Sequence, residues 1–276
     1  ITSLKQSYDI TIDWSGRNFC GLDIEWNYDK EYVNISMKHF VIKTLQRLHY
    51  IFPSKPQYAP HSWMVPNYGI NRQYAKPPDT SPSLDKSGIK RVQSIVGSFL
   101  YYGQDIDNAI FVALNELAAS QSAPTEQTNH KITKLLDYLS TYPDAKIRYT
   151  KSDMILHLDS DAAYLVAPKA RSRVAGYFYC GQHYNKNITP NTALNGPIHI
   201  ECKTLKHVVA SAAEAETAGL FHNCQTAVHI RNMLTALDHL QPATPARTDN
   251  STASGFVNDT LKKKRSKTWD VRYHWL

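Results

Sequence analysis

Residues 154–161 read Met-Ile-Leu-His-Leu-Asp-Ser-Asp, and this stretch decides the fold. It is a strand-like run that ends on an aspartate, and it marks a switch in pattern. Before it, residues 89–142 keep helical spacing. After it, residues 174–180 and 198–202 read as two more strands, separated by a polar loop over 183–195. A long helix is expected from about residue 207 to 240, then a short strand over 243–248 that reaches Asp249, then a helix from near Ser251. Three strands followed by helix, strand, helix is an α/β order with a mixed sheet.

Three carboxylates fall at telling places in that order. Asp161 closes the first strand, and strand ends are where α/β sheets place their chemistry. Asp159 lies on the same face and is the second choice. In the long helix, Leu220, Cys224, Ala227, Ile230, Leu234 and Leu237 form an apolar stripe, and Glu216 continues it one turn earlier. Glu214, two residues away, points elsewhere. An acid on a buried stripe beside Ala213 and Ala215 needs a partner, and a cation suits it. Asp249 ends the short strand in Arg247-Thr-Asp249-Asn-Ser.

Each acid alone has an ordinary reading: Asp161 as a turn former, Glu216 as a helix-face acid, Asp249 as the cap of a helix beginning at Asn250. The order strand-end Asp, stripe Glu, strand-end Asp is what points to chemistry. Three such carboxylates can hold two Mg²⁺ about 4 Å apart, with Mn²⁺ as an alternative. Cleavage of a phosphodiester by an activated water then needs no nucleophilic side chain.

The first half is different. Residues 19–26 alternate, with Cys20, Leu22, Ile24 and Trp26 on one face. A turn over 28–31 and a strand over 32–36 complete a hairpin. A helix is expected over about 37–50, with Phe40, Ile42, Leu45 and Leu48 inside. Residues 53–88 hold seven of the 14 prolines and read as an irregular connection. Three helices follow. The first buries Ile89, Val92, Ile95, Val96, Phe99 and Leu100. The second buries Ile106, Ala109, Ile110, Ala113, Leu114 and Leu117. The third is capped by Thr125 and buries Ile132, Leu135, Leu136 and Leu139.

The 276 residues carry a formal charge of +7, which favours a polyanionic partner. Cys20, Cys180, Cys202 and Cys224 have neither metal-ligand nor CxxC spacing and fit a reducing compartment. No apolar run spans a bilayer, so no membrane partner is expected, and the sequons at Asn34, Asn187, Asn250 and Asn258 are read as chance matches. The densest basic run is Lys262-Lys263-Lys264-Arg265 with Lys267, followed by Trp269, Arg272, Tyr273 and His274. A charge run is usually a solvated face. Beside a metal site it can track a phosphate backbone, with Lys203 and Lys206 adding to it. His207, His222 and His229 show no ligand spacing.

These motifs carry a resemblance. Ser160-Asp161-Ala162, Arg173-Val-Ala-Gly-Tyr177, Ser211-Ala-Ala-Glu-Ala-Glu216, Thr248-Asp249-Asn250-Ser251 and Lys267-Thr-Trp-Asp-Val-Arg-Tyr-His274 resemble the ribonuclease H of copia-type LTR-retrotransposon polyproteins. Cys20-Gly21-Leu22-Asp23-Ile24 resembles that family's primer-gripping hairpin. Val96-Gly97-Ser98-Phe99-Leu100-Tyr101 and Asp105-Ile-Asp-Asn-Ala109 resemble its thumb and connection helices.

The resemblance implies a ribonuclease H-like mixed sheet with helices, preceded by a hairpin and a small helical thumb or connection region, α+β overall. Residues 1–150 would be the end of the reverse transcriptase, and 151–276 the ribonuclease H-like domain, truncated at its C-terminus. Asp161, Glu216 and Asp249 would be the catalytic and metal ligands. Lys262, Lys263, Lys264, Arg265, Lys267, Gly21 and Leu22 would contact nucleic acid. The activity implied is Mg²⁺-dependent endonucleolytic cleavage of RNA in RNA–DNA hybrids. The remaining partner would be the rest of the polyprotein, in the cytoplasm or nucleus.

The polymerase's paired aspartates are absent, so polymerisation is not expected. The family's fourth ribonuclease H Asp lies beyond the stretch resembled here, and Asp270 is read as a structural or capping acid. The alternative is a non-catalytic descendant that binds nucleic acid or a protein partner. A transposase-like relative would need its third acid elsewhere, and the thumb-like first half argues against it.

Overall fold

The computed structural model describes residues 2–10, 12–62, 79–183 and 194–260. After a single short turn, α1 (Thr2–Lys5), the chain enters a four-stranded antiparallel sheet. Its order is β1 (Asn18–Phe19), β2 (Leu22–Asn27), β3 (Tyr32–Ser36) and β4 (Lys146–Thr150). The single strand expected over 19–26 is two strands. Cys20 and Gly21 both have positive φ, 49° and 82°, and make the two-residue turn of a tight hairpin. β4 was not expected. It is five residues long, and its partner β3 lies more than a hundred residues earlier, with Ile147 opposite Ile35.

Helices pack on this sheet. α2 spans Phe40–Arg47, shorter than the expected 37–50, because His39 sits at its start with φ 62° and cannot extend the helix backward. Val41, Thr44 and Leu45 are its buried residues. α3 (Lys86–Asp105) starts where the Asp85 carboxylate accepts the Gly88 N–H at 2.8 Å. The expected second helix is split. Asp107 accepts the Ala109 N–H and begins a 3₁₀ turn, Asn108–Ile110, ahead of α4 (Phe111–Ser120). Ala109 is consequently exposed. Thr125 caps α5 (Glu126–Thr141) as expected, in a reciprocal box with Thr128.

The shared core holds Phe99, Tyr102, Ile110, Leu114, Leu135 and Leu139, all nearly water-free. Phe40 stacks on Tyr102 and meets Phe99 edge-on. Leu100, expected inside, is 46% exposed, and Tyr102 takes the buried position on the helix stripe.

The second half is a mixed sheet with helices, an α/β arrangement. Its strands are β5 (Ile155–Ala167), β6 (Arg171–Gly181), β7 (Pro197–Thr204) and β8 (Ala246–Arg247), in the order β7-β6-β5-β8. Only β8 runs parallel to its neighbour, β5. α6 (Ala212–Ala236) crosses β5 and β6, and α7 (Ser251–Val257) follows β8. Ala215, Ala218 and Phe221 pack with Val174 and Leu205. Further along, Ala227 and Leu234 pack with Leu156, Leu158 and Phe178.

α6 starts five residues later than expected. Ser211 accepts the Glu214 N–H at 3.1 Å, and Glu214 Oε2 accepts the Ala210 N–H at 2.7 Å. These bonds satisfy free donors at the helix start. It ends before Leu237, which is 67% exposed rather than part of the buried stripe.

A buried side chain ties the two sheets. Asn195 Oδ1 accepts the Thr150 N–H, and its Nδ2 donates to the carbonyls of Thr150 and Cys180. Beside it, the Tyr149 hydroxyl donates to Pro197 O at 2.8 Å. Asn115 donates to Cys202 O, and Arg173 pairs with Glu116. Among the described residues no helix is long and apolar enough to cross a membrane.

Candidate metal centre

Carboxylate oxygens of Asp161, Glu216 and Asp249 lie within 4.8 Å of one another. They come from three elements, each positioned by local chemistry.

Asp161 does not end its strand. β5 runs on to Ala167, with Asp161 opposite Ala175 and Ala163 opposite Arg173. The sequence continues past it as Ala162-Ala-Tyr-Leu-Val-Ala167, and pairing with β6 carries the strand forward through those residues. What does end near Asp161 is the other ladder. The β5–β8 pairing stops at Asp159↔Arg247, so Asp161 lies just past the parallel edge, and it is solvent-exposed.

Glu216 sits in the second turn of α6 and is 6% exposed. Its Oε1 accepts the backbone N–H of Ala162 at 3.2 Å, and its Oε2 accepts the Thr248 hydroxyl at 3.5 Å. Burial, then the charge of Asp161, then that of Asp249, push its carboxyl up to about 7 against those two donors. Asp249 is exposed and follows β8 by two residues. It does not cap α7: Asn250 does, accepting the Ala253 N–H at 3.0 Å. That leaves the Asp249 carboxylate for the cluster.

The neighbouring acids are engaged elsewhere. Glu214 is buried on the Ala210 N–H. Asp159 takes a two-pronged grip from Arg247, with Nε to Oδ1 at 2.6 Å and Nη2 to Oδ2 at 2.7 Å. Arg247, Thr248 and Asn223 join the site in the fold and are not marked by sequence position. Asn223 is fully buried, two turns after Glu216. Its Nδ2 donates to Ser160 Oγ and Ala175 O, each at 2.9 Å, flanking Asp161. An amide on an otherwise apolar helix face was its only signal.

An all-oxygen set of three carboxylates, one buried and two facing solvent, could hold a metal ion, and its chemistry suits a hard divalent cation. The raised Glu216 carboxyl reflects its burial and the two carboxylates beside it.

Other expected site residues are not gathered here. Gly21 and Leu22 belong to the first sheet, where the Tyr101 hydroxyl donates to Cys20 O. Lys203 is paired with Glu201, and Lys206 is exposed. Lys262, Lys263, Lys264, Arg265, Lys267 and Asp270 lie outside the described residues. Comparison with models of protein families, with curated proteins and with solved structures finds no match.

Proposed function

We propose that the chain is a retrotransposon reverse-transcriptase-derived ribonuclease H, cutting the RNA strand of RNA–DNA hybrids with Mg²⁺ held by Asp161, Glu216 and Asp249. The observation that carries this reading is the convergence of those three oxygens within 4.8 Å. They were singled out by position in the sequence, and the described neighbours Glu214 and Asp159 are bound to other groups. The resemblance to copia-type motifs supplies the substrate class.

When bound, divalent cations at such a site supply an activated water and neutralise the departing 3′-oxygen. The chain's own residues hold and orient. Glu216 is the inner ligand, fixed by the Ala162 N–H and the Thr248 hydroxyl. Asp161 and Asp249 face solvent, so a phosphodiester can approach from their side. Asn223 holds α6 on the strands beside Asp161, which fixes Glu216 relative to that aspartate. The net charge of +7 favours a polyanionic substrate.

The test is cleavage of an end-labelled RNA–DNA hybrid by wild type and by Asp161→Asn, in Mg²⁺ and in chelator. Cleavage by wild type in Mg²⁺ alone supports the reading. A wild type that binds hybrid without cutting it supports the alternative of a non-catalytic nucleic-acid-binding descendant.

A further inference from the structure

The strand that leads into Asp249 is held by few backbone bonds. β8 is two residues long and lies at the sheet edge, paired with β5 only at Leu158↔Ala246 and Asp159↔Arg247. One further bond runs from the Leu158 N–H to Pro245 O at 3.0 Å. Asp161 and Glu216, in contrast, stand on a 13-residue strand and a 25-residue helix. Three carboxylates this close repel one another; β8 is the shortest of the elements that place them, and Arg231 holds the segment before it by donating to Gln241 O and Thr244 Oγ1.

Side chains supply what the ladder lacks. Arg247 forks onto both oxygens of Asp159, and its Nη2 also donates to the Tyr179 hydroxyl at 2.8 Å. Tyr179 is fully buried in β6 and stacks on the buried His157 of β5. Through Arg247, β8 is thus tied across β5 to β6. The clamp sits two residues before each metal-ligand candidate, Asp159 before Asp161 and Arg247 before Asp249.

We infer that Asp159 and Arg247, braced by Tyr179, are positioning residues that set the distance of Asp249 from Asp161 and so the affinity of the cation site. The inference rests on the metal-binding reading above. A part-exposed ion pair contributes little to global stability, but a bidentate fork fixes geometry strongly. Lysine in place of Arg247 keeps the charge and loses the fork.

The experiment is Mn²⁺ binding to the full chain, read from loss of the free-ion paramagnetic resonance signal. It compares wild type, Asp159→Asn, Arg247→Lys and Tyr50→Phe at a temperature where circular dichroism shows all four folded. Tyr50→Phe removes a hydrogen bond to Asp137 in the first half and serves as the stability control. The expected result is about a tenfold loss of affinity in Asp159→Asn and in Arg247→Lys, with Tyr50→Phe binding like wild type. If wild type binds Mn²⁺ and both clamp variants bind as tightly, the clamp has no positioning role and the metal reading stands. If Tyr50→Phe weakens binding as much as the clamp variants do, the effect is global and the inference is overturned. If wild type takes up no Mn²⁺, the metal reading fails and the clamp's role fails with it.

Discussion

Glu216 on α6 accepts the backbone N–H of Ala162, the residue that follows Asp161 in β5, at 3.2 Å. One bond therefore docks the helix on the strand at the position where their two carboxylates meet.

That meeting is costly without a cation, and pH should reveal it. The Glu216 carboxyl is pushed up to about 7 in the folded chain, from its ordinary value of 4.5. Between those values the folded state binds more protons than the unfolded one, so stability falls as pH rises. The loss is on the order of 3 kcal/mol if the whole shift is expressed, at about 1.4 kcal/mol per unit. In chelator, the melting temperature should drop between about pH 5 and pH 8. Glu216→Gln should flatten that slope, and saturating Mg²⁺ should reverse it.

Glu214 and Glu216 are both buried but hold different groups. Glu214 receives the Ala210 N–H, a role a glutamine carbonyl can fill. Glu214→Gln should therefore keep Mn²⁺ affinity within about twofold, whereas Glu216→Gln should lose about tenfold or more. Isothermal titration of the two variants checks this. Equal losses would mean the wrong acid has been assigned.

Gly176 is a packing requirement. A Cβ there would lie 2.5 Å from Asn223 Oδ1 and 2.9 Å from a ring carbon of Phe178. Gly176→Ala should cost about 1–3 kcal/mol in urea unfolding, because Asn223 must move from its bonds to Ser160 and Ala175. Mn²⁺ affinity should weaken with it, since the same amide holds α6 beside Asp161.

Asn195 carries the junction between the sheets. Asn195→Ala strands the Thr150 N–H and the Cys180 carbonyl in a buried site, at a cost of about 3 kcal/mol. Chemical denaturation should then show two transitions where the wild type shows one.

Much of this was legible in the sequence, for local reasons. A residue two positions away on a helix turns about 200°, so the stripe through Leu220 and Ala227 separated Glu216 from Glu214. Thr125 as a cap and the core positions of α5 follow from patterns within a few residues. What stayed hidden depends on distant partners. β4 exists because Ile147 finds Ile35. The extension of β5 past Asp161 depends on β6. The Asp159–Arg247 grip joins residues 88 positions apart, and neither side chain announces the other. The break before α4 was missed because apolar spacing continues through Asp107, whose carboxylate competes for the backbone.

The most direct measurement follows an RNA strand, internally labelled and annealed either to DNA or to RNA, through incubation with the full chain and Mg²⁺. Cuts are expected in the RNA of the hybrid only, leaving 3′-hydroxyl and 5′-phosphate ends, and none with Asp161→Asn. Equal cutting by Asp161→Asn, or a wild type inert on the hybrid in both Mg²⁺ and Mn²⁺, would contradict the proposed function.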